Sequence, residues 1–153
     1  MSASDREAIW TFVGKKDDII RCKKTTTVVQ GRDVLVIYRE GVLYAIDSFC
    51  YHSGGPLQLG DIEDVNGKQC IVCPWHKYKI TLAEGEGLYQ SIDPRDPRSK
   101  AIWCSKGVKQ RTHSVQERDG DVFVTLSDLS SKVESDYYQS KKYKQAMRAT
   151  MKR

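Results

Sequence analysis

Two cysteines and two histidines stand in two short stretches, Cys50-Tyr51-His52 and Cys73-Pro74-Trp75-His76, with twenty residues between His52 and Cys73. Each stretch offers a transition metal one thiolate and one imidazole. Side chains of an extended segment alternate with a period of two, so the Cys-x-His spacing sends both ligands to one side. Cys-x-x-His instead wraps a tight turn whose backbone amides also face the bound atoms. Gly54-Gly55-Pro56 and Pro74 let the backbone come close to an inorganic core and then hold it there. Two kinds of centre use such a donor set. A structural zinc ion takes all four donors in one tetrahedron, whereas a two-iron, two-sulfide cluster places a thiolate pair on one iron and an imidazole pair on the other. Zinc loops more often repeat one ligand type as Cys-x-x-Cys, so the mixed loops favour the cluster; residue counts alone leave both open.

The elements that must position these residues are short strands. Ile9 to Val13 opens the pattern, followed by a Gly14-Lys15-Lys16-Asp17-Asp18 break; Thr25 to Gln30, Val34 to Tyr38 and Val42 to Ile46 then read as an antiparallel meander. Its turns are Gly31-Arg32-Asp33 and Arg39-Glu40-Gly41. Lys109 to Glu117 and Asp121 to Leu126 flank Asp119-Gly120, a hairpin signature. Phe49 to Ile80 and Ser91 to Lys100 are expected to be loop-rich, the latter because Asp93-Pro94-Arg95-Asp96-Pro97-Arg98 cannot sustain a ladder. Tyr143, Met147 and Met151 recur at four-residue spacing, consistent with a weak helix packed on the domain or fraying free. The expected class is all-β and antiparallel: one domain over 8–129, with a ligand-carrying unit at about 48–80 inserted in a β base and a basic, weakly helical tail over 130–153.

The 153 residues suffice for a hydrophobic core without disulfide staples. The cysteines, Cys22, Cys50, Cys70, Cys73 and Cys104, are odd in number and irregular in spacing, which points to a reducing, cytoplasmic setting. Neither a signal peptide nor a membrane span is visible. Residues 131–153 hold seven basic and two acidic side chains, which accounts for the whole net charge of +5. The balanced body is therefore not a nucleic-acid surface. Cys70, preceding Ile71-Val72, reads as a packed thiol, and His113, between Thr112 and Ser114, as a surface side chain.

Taken in order, Trp10 to Gly14, Val42-Leu43-Tyr44-Ala45-Ile46-Asp47, Cys50-Tyr51-His52-Ser53-Gly54-Gly55-Pro56-Leu57 and Cys73-Pro74-Trp75-His76 resemble the Rieske-type 2Fe-2S ferredoxins over most of the chain. The resemblance implies small stacked sheets with a loop-rich cluster-binding subdomain. It implies one 2Fe-2S cluster with Cys50 and Cys73 on one iron and His52 and His76 on the other. Such a centre has no open position for substrate, so the implied role is a one-electron carrier between a reductase and an acceptor, not an enzyme. The chain departs from the high-potential members of that family. Their loop-bracing cysteines would fall at Gly55 and Trp75, and their sulfide-bonding serine at Tyr78, so a low potential is expected. Lys77 stands where the family commonly has glycine, Glu63-Asp64-Val65-Asn66-Gly67 is read as an added surface turn, and Pro94 to Pro97 stands where family members have a third loop over the cluster, with a plain connector as the other reading. A monomer is expected, and removal of residues 139–153 is expected to leave cluster assembly intact. The contrasting reading is a structural or regulatory module that holds zinc or recruits an acidic partner through its tail.

Overall fold

The computed structural model describes residues 9–92, 94–96, 98 and 100–145. Parts of the sequence reading, Asp93, Pro97, Met147 and Met151 among them, lie outside these residues. Among the described residues eleven strands form two antiparallel sheets, in keeping with the expected all-β class. The six-stranded sheet has the order β1-β11-β10-β4-β3-β2, with β1 at Thr11–Lys15, β2 at Lys24–Val29, β3 at Arg32–Arg39, β4 at Val42–Asp47, β10 at Thr112–Arg118 and β11 at Asp121–Thr125. The five-stranded sheet runs β5 (Ile62–Val65), β6 (Lys68–Val72), β7 (Lys79–Thr81), β8 (Glu86–Ser91) and β9 (Ile102–Val108) in sequence order. No helix of the described residues is long and apolar enough to cross a membrane.

Strand β3 shows why the sheets stack. Val34, Leu35, Val36 and Ile37 are all fully buried, and the pleat sends them to opposite faces. Leu35 and Ile37 join Ile46, Leu57, Ile71, Ile80, Leu82, Cys50 and Cys73 in a core between the sheets. Val34 and Val36 join Ile19, Val29, Ala45, Val122 and Val124 in a second core on the other face. One continuous apolar run thus holds the side that carries Cys50 and Cys73 and the base of the molecule together.

Two differences from the sequence reading have local causes. Lys16–Cys22, whose first three residues were read as part of the Gly14 to Asp18 break, is an α-helix, α1, with Asp17 and Asp18 in its first turn and Arg21 in its last, both favourable to the helix dipole. It buries only Ile19, so no helical period is written in the sequence. The presumed turn Glu63 to Gly67 is mostly strand: Ile62–Val65 pairs with Lys68–Val72 and only Asn66-Gly67 turns, both at positive φ. The connector between β8 and β9 contains the Pro94 segment and holds no strand over its described residues.

Residues 130–145 pack back onto the domain. A 3₁₀ segment, Glu134–Gln139, buries Ser135, and residues 141–145 are helical. Asp136 pairs with Arg111 at 2.7 Å and with Arg32. Arg32 in turn pairs with the buried Asp47 at 2.6 Å.

Candidate metal centre

The first loop leaves the end of β4 and closes on itself before a 3₁₀ turn at Leu57–Leu59. The Gly54 amide donates to the Cys50 carbonyl at 2.8 Å, and the Cys50 amide donates to the Gly55 carbonyl at 2.9 Å. Buried Gln110 anchors the loop from the bend between β9 and β10. Its Oε1 accepts from the Tyr51 amide at 2.9 Å, and its Nε2 donates to the carbonyls of Asp47 and Phe49 at 2.9 and 2.7 Å. The second loop is the tip of the β6–β7 hairpin, closed by the Val72–Lys79 pair and by a 2.8 Å bond from the Cys73 amide to the Tyr78 carbonyl. His76 and Lys77 both hold left-handed backbone, φ 68° and 61°. For residues with a Cβ this costs about 1–2 kcal/mol each, strain of the kind that collects where a loop must aim a functional side chain.

The two loops bring the four candidate ligands together as two pairs of unlike chemistry. Cys50 and Cys73 are fully buried at the inner end, and each thiol acts on the ionisation of the other. The Cys50 thiol holds Cys73 below its ordinary value against the opposing effect of burial, with help from the Trp75 amide. Cys50 is pushed up by the Cys73 thiol and by burial, against the opposing effect of the His52 and Ser53 amides. His52 and His76 lie at the exposed end, ring centroids 5.3 Å apart and nearly perpendicular. Loss of water, the neighbouring His76 and the Lys106 charge hold His52 below its ordinary 6.5, which favours the neutral imidazole a metal requires. Among the described residues no three or more His, Cys, Asp or Glu side chains gather as a site for one ion.

Close packing around the sulfur pair leaves space only for glycine. A Cβ on Gly55 would lie 2.5 Å from the Cys73 sulfur and 3.1–3.2 Å from Trp75. Gly55 and Trp75 therefore face each other between the loops with no disulfide, and all five cysteines are free thiols. Tyr78 lays its ring on His52 at 3.8 Å, and Lys106 stands over the Tyr78 ring at 4.8 Å. The Ser53 hydroxyl is buried with no partner among the described residues, a polar atom left available to a bound group.

Cys70 is buried in β6 beside Leu88 and Trp103, as the sequence reading had it. His113 is not at the surface. Its ring is buried, Nδ1 accepts from the Ser127 amide at 3.1 Å, and Nε2 donates to Asp47 at 2.9 Å, because β10 pairs with β4 at the level of Ala45 and Ile46. Sequence reasoning also passed over Gln110 and Tyr138, and placed Tyr143 in a weak helix without assigning it a contact with the loop. Their contacts with the first loop span 59, 86 and 89 residues, beyond any local pattern.

A family model described as a soluble Rieske-type ferredoxin matches residues 11–129. The Rieske domain-containing protein of Homo sapiens is 55% identical over 139 residues, 91% of this chain and 88% of that one. A solved structure described as a putative NADH-dependent nitrite reductase small subunit from Mycobacterium tuberculosis aligns with a TM-score of 0.60 at 16% identity, over 80% of this chain and 99% of that one. The ferredoxin of carbazole 1,9a-dioxygenase from Nocardioides aromaticivorans IC177 aligns with a TM-score of 0.59 at 19% identity, over 78% of this chain and all of that one. These two structures establish the shared fold. The family match and the human relative establish descent, and the chain belongs to the soluble Rieske-type ferredoxin family.

Proposed function

We propose that this protein is a one-electron carrier whose cluster is held by Cys50, Cys73, His52 and His76. The observation that carries this reading is the sorting of donors by kind, two buried sulfurs inside and two exposed imidazoles outside. A single zinc ion needs four donors around one point, whereas two irons need two donors each. The donor chemistry, the glycine-only space at Gly55 and the unpartnered Ser53 hydroxyl fit a compact two-iron, two-sulfide group. When bound, such a group takes up and returns one electron.

The residues of the chain do the rest. Cys50 and Cys73, shut away from water, hold the inner end, and the His52, Ser53 and Trp75 amides offset the charge on their sulfurs. His52 and His76 present the edge a partner approaches, ringed by exposed Trp75, Lys77 and Lys106. Among the described residues neither lysine has an ion-pair partner, so the edge suits an acidic patch on a reductase or an acceptor. With four protein ligands there is no position for substrate, which makes the protein a component of a redox system and not itself an enzyme. Its relatives described as a dioxygenase ferredoxin subunit and a nitrite reductase small subunit are parts of such systems. We further propose a monomer working in a reducing cytoplasm, and a potential toward the lower end of the roughly −150 to +300 mV spanned by Rieske centres, since a tyrosine ring and not a serine hydroxyl stands at position 78.

Electron paramagnetic resonance of the dithionite-reduced protein, with iron and acid-labile sulfide analysis, tests the reading. The expected result is a rhombic signal from inequivalent irons that is lost in Cys50→Ser and His76→Ala. A colourless protein loaded only with zinc, or equivalent irons by Mössbauer spectroscopy, overturns it.

A further inference from the structure

The first ligand loop is gripped from outside by the C-terminal segment. The Tyr138 hydroxyl donates to the His52 carbonyl at 3.0 Å, and the Tyr143 hydroxyl donates to the Gly54 carbonyl at 2.8 Å. The two rings stand perpendicular at 4.8 Å, and Tyr143 also packs edge-on against Phe49 at 5.8 Å. Gly54 makes room for them: at φ 78° a Cβ would collide with both tyrosines. The segment is fastened at its other points to the base sheet. Ser135 donates to Asp47 at 2.6 Å, Gln139 exchanges two 2.8 Å bonds with the Asp33 backbone, and Lys144 pairs with Asp33 at 2.7 Å. Gln110 holds the loop from below, while Tyr138 and Tyr143 hold it from above.

We propose that residues 134–145 form a strap whose Tyr138 and Tyr143 are positioning residues, fixing the Cys50–Gly54 backbone and with it the His52 ring and the cover over the sulfur pair. The strap rests on the electron-carrier reading only for what the loop holds. It runs against the expectation that residues 139–153 are dispensable for assembly, because Tyr143 lies within that stretch and bonds to the loop. Each hydroxyl is directed with its positive end at a loop carbonyl, so it also makes the loop a better host for added negative charge.

The test uses the full-length, cluster-loaded protein with Tyr138→Phe and Tyr143→Phe combined, which removes both hydroxyls and keeps the rings. Tyr137→Phe, whose hydroxyl bonds to no loop atom among those described, is the control. Backbone hydrogen exchange across residues 50–55 is expected to rise roughly tenfold or more in the double variant. Chelator-driven bleaching is expected to accelerate several-fold and the reduction potential to fall, with the thermal unfolding midpoint near wild type. Gly54→Ala, which pushes both rings away, is expected to reproduce the faster exchange. Wild-type exchange and bleaching in the double variant overturn the strap, as does an equal change in Tyr137→Phe. Hydrogen exchange reads the strap without reference to metal, so a failed cluster assignment and a failed strap give separate results.

Discussion

A single methyl group separates two uses of glycine in this protein. Alanine at position 55 would place its Cβ 2.5 Å from the Cys73 sulfur, while alanine at position 67 would meet nothing within 4 Å and suffer only from its φ of 80°. Gly55→Ala is therefore expected to reduce chromophore per chain severalfold with the β circular dichroism unchanged, and Gly67→Ala to lower stability by about 1–2 kcal/mol with the chromophore intact. Equal chromophore in the two purified variants would remove Gly55 from the site. Gln110 acts at the same scale by a different route. Gln110→Leu strands the Tyr51 amide and the Asp47 and Phe49 carbonyls at once, at an expected cost of about 3 kcal/mol. An unchanged urea midpoint would show that water replaces the amide. Nothing in the sequence singles out Gln110, because an amide declares its role only through partners that folding brings near. The meeting of Cys50, His52, Cys73 and His76 was legible by contrast, because each Cys and His pair stands within one short loop of the sequence.

The hairpin tip Cys73–Tyr78 shows what an element adds to its residues. Two successive left-handed residues, His76 and Lys77, turn the chain so that the imidazole faces outward and the lysine stands beside it. Lys77→Gly should relieve about 1 kcal/mol of backbone strain. It also removes a cation that favours the reduced state, so the potential should move down and association with an acidic redox partner should lose part of its salt dependence. A rise in potential by protein-film voltammetry would contradict this account. Turn chemistry is what made most strands readable: Asp119-Gly120 turns β10 into β11 with both residues at positive φ, as the dipeptide predicts. Helix α1 escaped because seven residues with one buried side chain carry no period, and its stability comes from packing Ile19 into the base core. His113 was misread for a related reason. Its flanking residues look like a solvated strand, and only the pairing of β10 with β4 sets it beside Asp47.

At the scale of the whole molecule, the strap and the base sheet meet in one charged network. Asp47 accepts from Arg32, His113 and Ser135, and Asp136 accepts from Arg111, Arg32 and the Val133 amide. Burial alone would raise both carboxyls. These hydrogen bonds and the arginine charges outweigh it and hold both below their ordinary 3.8. The sign of the linkage follows directly. Above 3.8 the carboxylates are ionised in the folded and unfolded chains alike, and their contribution to stability is complete. As pH falls below 3.8 the unfolded chain takes up protons first, and stability is lost progressively until the depressed folded values are reached. Acid unfolding followed by far-ultraviolet circular dichroism should therefore steepen below pH 4, with little contribution from these groups between pH 7 and 5. Asp136→Asn leaves the buried Arg111 without its anionic partner, so it should cost about 3 kcal/mol or more at pH 7 and flatten the dependence below pH 4. An acid-unfolding curve as steep as wild type in that variant would mean that other carboxyls govern the transition and that the strap is not fastened through Asp136.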